Sequence, residues 1–242
     1  MANLDPVDQQ LLQIVTAPPP TTIADVIQVM QSIDLLLPNN DGLTWFNKLY
    51  LMVTQKIDGQ PSTTWLDPVW LLRLDVIFAG FYFAAIASFL NASQETPSSW
   101  DALFEARNSP NIDRIQWALA GMNAHINHDL ALALLDTDGE MNLQPNAASP
   151  QHNHYERVNG ILAQALPEAL NFLATGILGE AAQDTGKIGR LLAIWDIAVA
   201  RDAAWTFSDY LRTLPTDARP LALQIQDKAT GLAGRGLLLP LQ

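Results

Sequence analysis

A long apolar stretch in the first half of the chain, residues 67–91, sets the first limit on the fold. Pro68 near its start is acceptable in the first turn of a helix. Arg73 and Asp75 interrupt its beginning, so the uncharged part covers only residues 76–90. That run of about fifteen residues is shorter than the roughly twenty that cross a membrane. We therefore predict no membrane span and a buried core helix, which would carry Phe78, Phe81, Tyr82, Phe83 and Phe89.

The rest of the chain repeats apolar residues at helical spacing and contains no alternating strand pattern. Residues 1–20 are predicted to form a short helix and a proline-rich connection, and residues 139–151 a long polar loop of the kind that is often functional. We predict one all-α domain over residues 1–242, a compact bundle of several helices around a central helix with polar faces. The predicted helices cover residues 23–38, 45–59, 67–91, 98–107, 112–135, 188–210 and 217–232, and another begins near residue 151.

Charge and composition exclude several classes of function. The formal net charge of −12 argues against nucleic acids, which need a basic surface, and against anionic membranes. The chain has no cysteine, so disulfides, thiolate metal sites and cysteine nucleophiles are excluded. With 49% hydrophobic and 16% charged residues it can bury a sizeable core. Its amino terminus carries Asp5 and Asp8 and no basic residue, unlike a signal peptide, and we expect a cytoplasmic protein.

The predicted central helix contains an unusual polar segment at residues 121–130. His125, His128 and Asp129 are three and four residues apart, which places them on one face of an α-helix. Gly121, one turn earlier on that face, would leave room for a ligand or a neighbouring backbone. Buried polar groups must be hydrogen-bonded or bound to something. The segment therefore predicts the wall of an active or binding site.

Two further polar residues of this segment, Asn123 and Asn127, are one turn apart on the opposite side of the helix. A helix with polar side chains on two sides and leucines between them is expected to be central. Asp136, one heptad after Asp129, falls on the same face as the histidines. We take both asparagines as candidate substrate-binding residues.

The four histidines all fall within a window of about thirty residues, and the loop at 139–151 returns His152 and His154 toward the central helix. This arrangement suits a divalent metal such as Zn, Fe or Mn. The alternative is that the central histidines are hydrogen-bonded core residues and the other two cap a helix. A His-Glu-x-x-His motif, which would be more specific, is absent. The candidate metal ligands are His125, His128, Asp129 and His154.

A second group of candidate site residues lies in the predicted helix at 188–210. Asp202 is seven residues after Trp195 and three before Trp205, so these three share a face. Arg201 lies four residues before Trp205, within reach for a cation–π contact. The alternative is a surface Arg–Asp pair beside core tryptophans. The two charges that interrupt the long apolar stretch are possible partners for this pair.

The decapeptide Gly-Met-Asn-Ala-His-Ile-Asn-His-Asp-Leu at residues 121–130 carries a resemblance to a known family. Together with the helix of Phe78 and Tyr82, the Tyr-x-x-Val-Asn segment at 155–159 and the Arg-x-x-x-Trp segment at 201–205, it resembles the bacterial and fungal proteins of domain of unknown function 5995. The resemblance implies a compact helical domain and supports the choice of site residues. It implies no activity and no substrate.

These observations favour an enzyme that acts on a small, largely apolar metabolite in a helical pocket. His125, His128 and Asp129 would be metal ligands in a hydrolase or oxidoreductase, or acid–base groups in a cyclase or isomerase. Arg201 and Asp202 would orient the substrate. The residues expected to bind it are Asn123, Asn127, Tyr82, Asn159, Trp195 and Trp205.

Two alternatives belong to other classes of function. The same pocket could hold a lipid-like or pigment-like ligand in a binding protein without catalysis, or the polar residues could be satisfied internally in a structural role. No Gly-x-Ser-x-Gly elbow, P-loop or dinucleotide fingerprint is present to choose between them. The sequence does not determine the oligomeric state.

Overall fold

The computed structural model describes residues 4–65, 67–174 and 196–239, and in these ranges the regular structure is helical, without a β-strand. The predicted all-α class is therefore confirmed. The α-helices, in chain order, are α1 Pro6–Val15, α2 Ile23–Leu36, α3 Gly42–Asp58, α4 Pro68–Leu90, α5 Ser98–Ala106, α6 Arg114–Ala124, α7 Leu130–Glu140, α8 Pro150–Ala174, α9 Ile197–Thr213 and α10 Arg219–Leu237.

Short polar side chains fix where most of these helices begin. Thr22 and Asp25 form a capping box at α2, in which each side chain accepts a hydrogen bond from the other residue's backbone N–H. Asp41 caps α3, Asp67 caps α4 and Asp196 caps α9 by accepting backbone N–H groups of the first turn. The caps of α3 and α4 fix the starts of the two helices that form one side of the cavity described below.

The core forms where α3 packs on α2, α6 and α8, and α4 packs on α1, α7 and α8. At its centre the rings of Phe46 and Tyr82 meet edge to face, with centroids 5.0 Å apart. The α10 helix packs on α5 and α6, and α9 packs on α7. The protein is thus a compact bundle whose central element runs from α6 to α7.

The α4 helix is long and apolar enough to cross a membrane by length and composition, with a mean hydropathy of 1.8. In the described structure 56% of that apolar window is buried against other helices. Its aromatic residues Phe78 and Tyr82 lie in the core. This burial is typical of a core helix, and the absence of a membrane span stays a prediction.

The central helix, predicted at 112–135, runs from Arg114 to Glu140 and is interrupted by a single π-helical turn at His125–Asp129. In this turn the backbone N–H of Leu130 donates to the carbonyl of His125, five residues earlier. A π turn therefore coincides with the polar segment that the sequence singles out. Such turns are frequent at functional sites.

Several predicted boundaries are wrong. Because α7 continues to Glu140, the connection to α8 covers only residues 141–149, and the long loop predicted at 139–151 is shortened at both ends. The α9 helix begins at Ile197, directly after its Asp196 cap. The single helix predicted over 188–210 is therefore not continuous across Asp196. Residues 188–195, including Trp195, lie outside the described ranges. Pro167 does not split α8.

The space predicted at Gly121 for a ligand or a neighbouring backbone is filled instead by an aromatic side chain of α3. A Cβ atom on Gly121 would lie 2.4 Å from Cγ of Phe46. We expect Gly121→Ala to lower the free energy of unfolding by about 1–3 kcal/mol, because the base of a packed ring must shift. Gly80→Ala is the matched control, since a Cβ on Gly80 meets no atom within 4 Å. Gly80→Ala should raise the free energy of unfolding by up to roughly 1 kcal/mol, because alanine has the higher helix propensity. Equal urea midpoints for the two variants would contradict the expectation.

Candidate functional site

A cavity lies between α3, α4, α8, α9 and the central helix, including its π turn. The centre of a water-sized sphere can occupy about 70 Å³ of it, several times what one ordered water needs. Twelve of its eighteen lining residues are apolar, as is usual for pockets that bind small molecules. The six that are polar or carry a hydroxyl are Tyr50, Thr54, Asp75, His125, Tyr155 and Arg201.

The π turn brings the His125 imidazole to the cavity wall, where Asp129 and Phe78 hold the ring from two sides. Nδ1 of His125 lies 2.9 Å from Oδ2 of Asp129, and the Phe78 ring stacks on the imidazole with centroids 3.5 Å apart. The indole Nε1–H of Trp100 donates to the same Asp129 oxygen at 2.9 Å. Nε2 of His125 has no hydrogen-bond partner among the described residues. The imidazole is therefore oriented through Nδ1, and Nε2 is available to hydrogen-bond to a molecule in the cavity.

Burial dominates the protonation of this pair. It lowers the pKa of His125 well below its usual range and raises the pKa of Asp129, while the Trp100 hydrogen bond favours the Asp129 carboxylate. A single proton shared between Nδ1 and the carboxylate satisfies both groups. With that proton on Nδ1, the Nε2 lone pair can accept a proton from a bound molecule.

Asp75 is the second titratable group of the cavity. It follows the lining residues Leu71 and Leu74 on one face of α4, and its Oδ2 is buried without a hydrogen-bond partner among the described residues. Burial raises the pKa of Asp75 to about 7, against the opposing charge of Arg201 and with a smaller contribution from Asp58. Its carboxyl group can therefore gain or lose a proton near neutral pH.

Arg201 reaches the cavity from α9 and is tied to α8. Its Nε–H donates to Oδ1 of Asn159 at 2.6 Å, and its Nη2 donates to the carbonyl of Tyr155 at 2.9 Å. The Tyr155 hydroxyl donates in return to the carbonyl of Arg201, and the guanidinium carbon lies 4.1 Å from the Tyr155 ring centroid. The ring beneath Arg201 is thus Tyr155, not Trp205 as predicted. Asn159, predicted to bind substrate, does not line the cavity; it accepts the hydrogen bond that positions Arg201 there.

The Tyr50 hydroxyl adds a hydrogen-bond donor to the cavity. Its ring lies edge-on to the His125 imidazole, with centroids 4.6 Å apart. Burial raises the pKa of Tyr50 well above its usual range, and the nearby Asp75 and Asp129 carboxylates add to the shift. The phenol therefore stays protonated at neutral pH.

His128, Asn123 and Asn127 are directed away from the cavity, toward α10. Nδ1 of His128 lies 3.9 Å from Oδ1 of Asp227, and Nδ2 of Asn123 donates to the carbonyl of Thr230 at 2.9 Å. Asn127 donates to Asn123, at 3.1 Å. The π turn holds one more residue than an α turn, so the face predicted for His125, His128 and Asp129 is divided. Asn123 bonds to α10, Asn127 bonds to Asn123 within the central helix, and neither asparagine lines the cavity.

His154 and Tyr82 form structural contacts behind the site. Nε2 of the fully buried His154 accepts the backbone N–H of Asp67 at 2.7 Å, at the start of α4. The Tyr82 hydroxyl donates to Oδ1 of Asn47 at 3.3 Å. Neither side chain lines the cavity.

The remaining predicted residues lie near the outside of the site. Trp205 is buried, and its ring centroid lies 5.0 Å from that of Tyr155, the lining residue whose ring contacts the Arg201 guanidinium. Asp202 and Asp136 are exposed, so they do not share the face of the buried groups. Trp195 lies outside the described residues. Arg73 pairs with Glu140 at 2.6 Å rather than with the α9 charges.

No group of three or more His, Asp or Glu side chains that could hold a metal ion occurs in residues 4–65, 67–174 and 196–239. His125 and Asp129 are in contact, whereas His128 and His154 lie against other elements. The metal site at these four residues stays a prediction.

Tyr50 is a cavity residue that the sequence-based predictions missed, and Asp75 is one that they named only as a possible partner of Arg201 and Asp202. Asp75 carried a signal, because it is a carboxylate among the apolar residues Leu71, Leu74 and Phe78 on one helix face. Tyr50 carried none, since a tyrosine in an amphipathic helix is ordinary. Only the packing of α3 against α4 shows that both side chains reach the same cavity.

The comparisons with known proteins agree with the resemblance noted above. No curated protein and no solved structure matches the chain significantly. The sequence model of the Family of unknown function (DUF5995) matches residues 23–240, which include every residue that lines the cavity. The chain therefore belongs to the DUF5995 family of unknown function.

Proposed function

We propose that this protein is an enzyme that transfers protons on a small, largely apolar molecule bound in the cavity. One observation carries the proposal: Asp75 and His125 line the same apolar cavity, and each has a buried polar atom without a partner among the described residues. Buried atoms of this kind are costly unless something binds them. Titratable groups with shifted pKa values in a cavity are typical of active sites.

The two groups suit opposite roles in one proton transfer. His125, oriented by Asp129, would accept a proton from the substrate at Nε2. Asp75, in its protonated form, would donate one to another atom of the substrate, and Tyr50 would hydrogen-bond to a developing negative charge. No electrons are gained or lost, so isomerisation is the reaction class that this balance favours. His128 and Asp202, predicted as catalytic, take no part in it.

The test uses the exchange of carbon-bound hydrogen, because this exchange can be measured whatever the product of the reaction is. Small apolar compounds that raise the melting temperature are incubated with the protein in D₂O and followed by NMR. We expect the wild type to exchange a C–H proton of at least one bound compound, and His125→Gln and Asp75→Asn to slow that exchange by about 100-fold or more. Thr137→Ser, a substitution outside the cavity, is the control. Exchange at the wild-type rate in both cavity variants would refute the assignment.

The second candidate is a binding protein without catalysis, which the twelve apolar lining residues favour. Compounds that bind the wild type and both variants but never exchange would support it. The metal-dependent version is tested separately, by elemental analysis of the wild type beside His125→Ala and His128→Ala. Stoichiometric metal that both folded variants lose would restore it.

A further inference from the structure

The buried Arg201 guanidinium is only partly satisfied by the protein. Two of its five N–H groups donate to Asn159 and Tyr155, through Nε and Nη2. Both donors lie on the same edge of the guanidinium. The Nη1 side has no hydrogen-bond partner among the described residues, and Arg201 forms no ion pair with a described carboxylate. Three N–H groups are therefore available in a side chain that lines the cavity.

A buried guanidinium needs a counter-charge more strongly than any other group of this cavity. Arginine cannot lose its proton in a protein, and a buried charge without a partner is strongly destabilising. The two acceptors and the Tyr155 ring offset part of this cost. Asp75 shares the cavity without pairing directly with Arg201. The space between them is lined chiefly by apolar side chains.

We propose that the molecule bound in this cavity is a small apolar carboxylic acid, whose carboxylate binds the free edge of Arg201. A carboxylate matches the planar guanidinium and can accept two parallel N–H bonds from it. The apolar remainder would then lie against side chains such as Leu74, Phe78 and Ile126. This inference names the substrate class of the proposed enzyme and rests on that proposal only for the reaction, since binding is measurable by itself.

A carboxylate ligand also gives Asp75 a defined state. The titratable or charged groups near Asp75 are Tyr50 and Asp58 on α3, Tyr155 on α8, Arg201 on α9 and His125 in the π turn. A second negative charge in the cavity favours protonation of Asp75, which can then donate a hydrogen bond to the ligand. Binding should therefore take up a proton, and affinity should fall as the pH rises above neutrality.

An amine is the main competing ligand, because Asp75 alone would attract an ammonium group. The permanent charge of Arg201 in the same cavity would repel that cation, and protonation of Asp75 would remove the attraction. The carboxylate and the amine thus predict opposite orders of affinity, and a series of matched compounds separates them.

The experiment is isothermal titration calorimetry of the full chain with hexanoate, hexan-1-ol and hexylamine, extended to butanoate, octanoate and phenylacetate. We expect the carboxylates to bind at least about tenfold more tightly than the matched alcohol, which corresponds to one charge-assisted hydrogen bond. Titrations in buffers of different ionisation enthalpy should show proton uptake. Arg201→Gln should abolish the preference for the carboxylate, whereas Arg157→Gln, an exposed arginine on α8, should retain it.

Equal binding of alcohol and carboxylate, tighter binding of the amine, or no carboxylate binding at millimolar concentration would overturn the inference. So would a preference that survives in Arg201→Gln. Should Arg201→Gln fail to fold by circular dichroism, Asn159→Asp provides a second test. It places a carboxylate against Nε, and we expect it to weaken hexanoate but not hexan-1-ol. Carboxylate binding without hydrogen exchange would leave this inference standing and refute only the proton transfer.

Discussion

Asp75→Asn is expected to raise the free energy of unfolding by up to about 4 kcal/mol at about pH 8 and to change it little near pH 4. Burial raises the pKa of the Asp75 carboxyl from 3.8 to about 7 in the folded protein. In the unfolded chain the carboxyl is exposed and titrates near the lower value. Asparagine keeps the shape and a polar group but never becomes charged.

The direction follows from proton binding. Between about pH 4 and pH 7 the folded protein holds the Asp75 proton and the unfolded chain has released it, so the stability of the wild type falls as the pH rises through this window. Above it both states are ionised and the loss is complete. The variant lacks this loss, and its advantage should grow across the same window and then level off.

Urea unfolding of the wild type and the variant across this pH range measures the effect. Asp217→Asn is the matched control, since Asp217 is exposed in the turn before α10 and does not contribute to the pKa shift of Asp75. It should shift the unfolding free energy by less than about 0.5 kcal/mol at any pH. A difference between Asp75→Asn and the wild type that does not depend on pH would show that Asp75 is not a buried titrating group.

Arg107→Met is expected to lower the free energy of unfolding by about 3–5 kcal/mol, because it leaves a buried carboxylate without its counter-ion. Arg107 and Asp41 are 5% and 3% exposed, and Nε of Arg107 donates to both Asp41 oxygens, at 3.1 and 2.9 Å. Arg107 also pairs with Asp8, at 3.0 Å. Asp41 in turn caps α3, the helix that carries Tyr50 into the cavity.

Arg235→Met provides the comparison, as it breaks an ion pair of the same kind at the surface. The side chains of Arg235 and Glu105 are 45% and 58% exposed and 3.1 Å apart. Solvent screens such a pair, so the loss should stay below about 1 kcal/mol. Thermal and urea unfolding of both variants decide the matter, and similar losses in the two would show that the buried pair contributes no more than the exposed one.

Much of the helical architecture could be predicted from the sequence, because its signals are local. The caps at Asp67 and Asn91 confirm the predicted helix at 67–91, and α2 begins at Ile23, where the predicted helix begins, directly after its Thr22 cap. The π turn at residues 125–129 could not be predicted, since one extra residue in a turn leaves the apolar pattern almost unchanged. Helix ends without strong caps were also misplaced, as at Glu140.

The candidate site was predicted only in part, because its residues come from five separate elements. His125, Asp129 and Arg201 were selected for their residue type and spacing, and the structure brings His125 and Arg201 to one cavity. The same spacing wrongly grouped His128 with them, because helical periodicity assumes a regular α turn. Asp75 was noted as a charge in an apolar helix, but its approach to Arg201 depends on how α4 and α9 pack.

The π turn also sets the rotational phase of α7 relative to α6. Each residue of an α-helix advances the side-chain direction by about 100°, so one added residue rotates every later side chain by about that angle. Thr137 and Asp138 are buried on α7, and Asp138 accepts the indole N–H of Trp70 at 2.8 Å. These contacts require the rotated phase. A one-residue deletion within the turn would therefore restore α-helical geometry there and leave the side chains of α7 facing their present neighbours, whereas the same deletion within α7 would rotate every later side chain of that helix by about 100°.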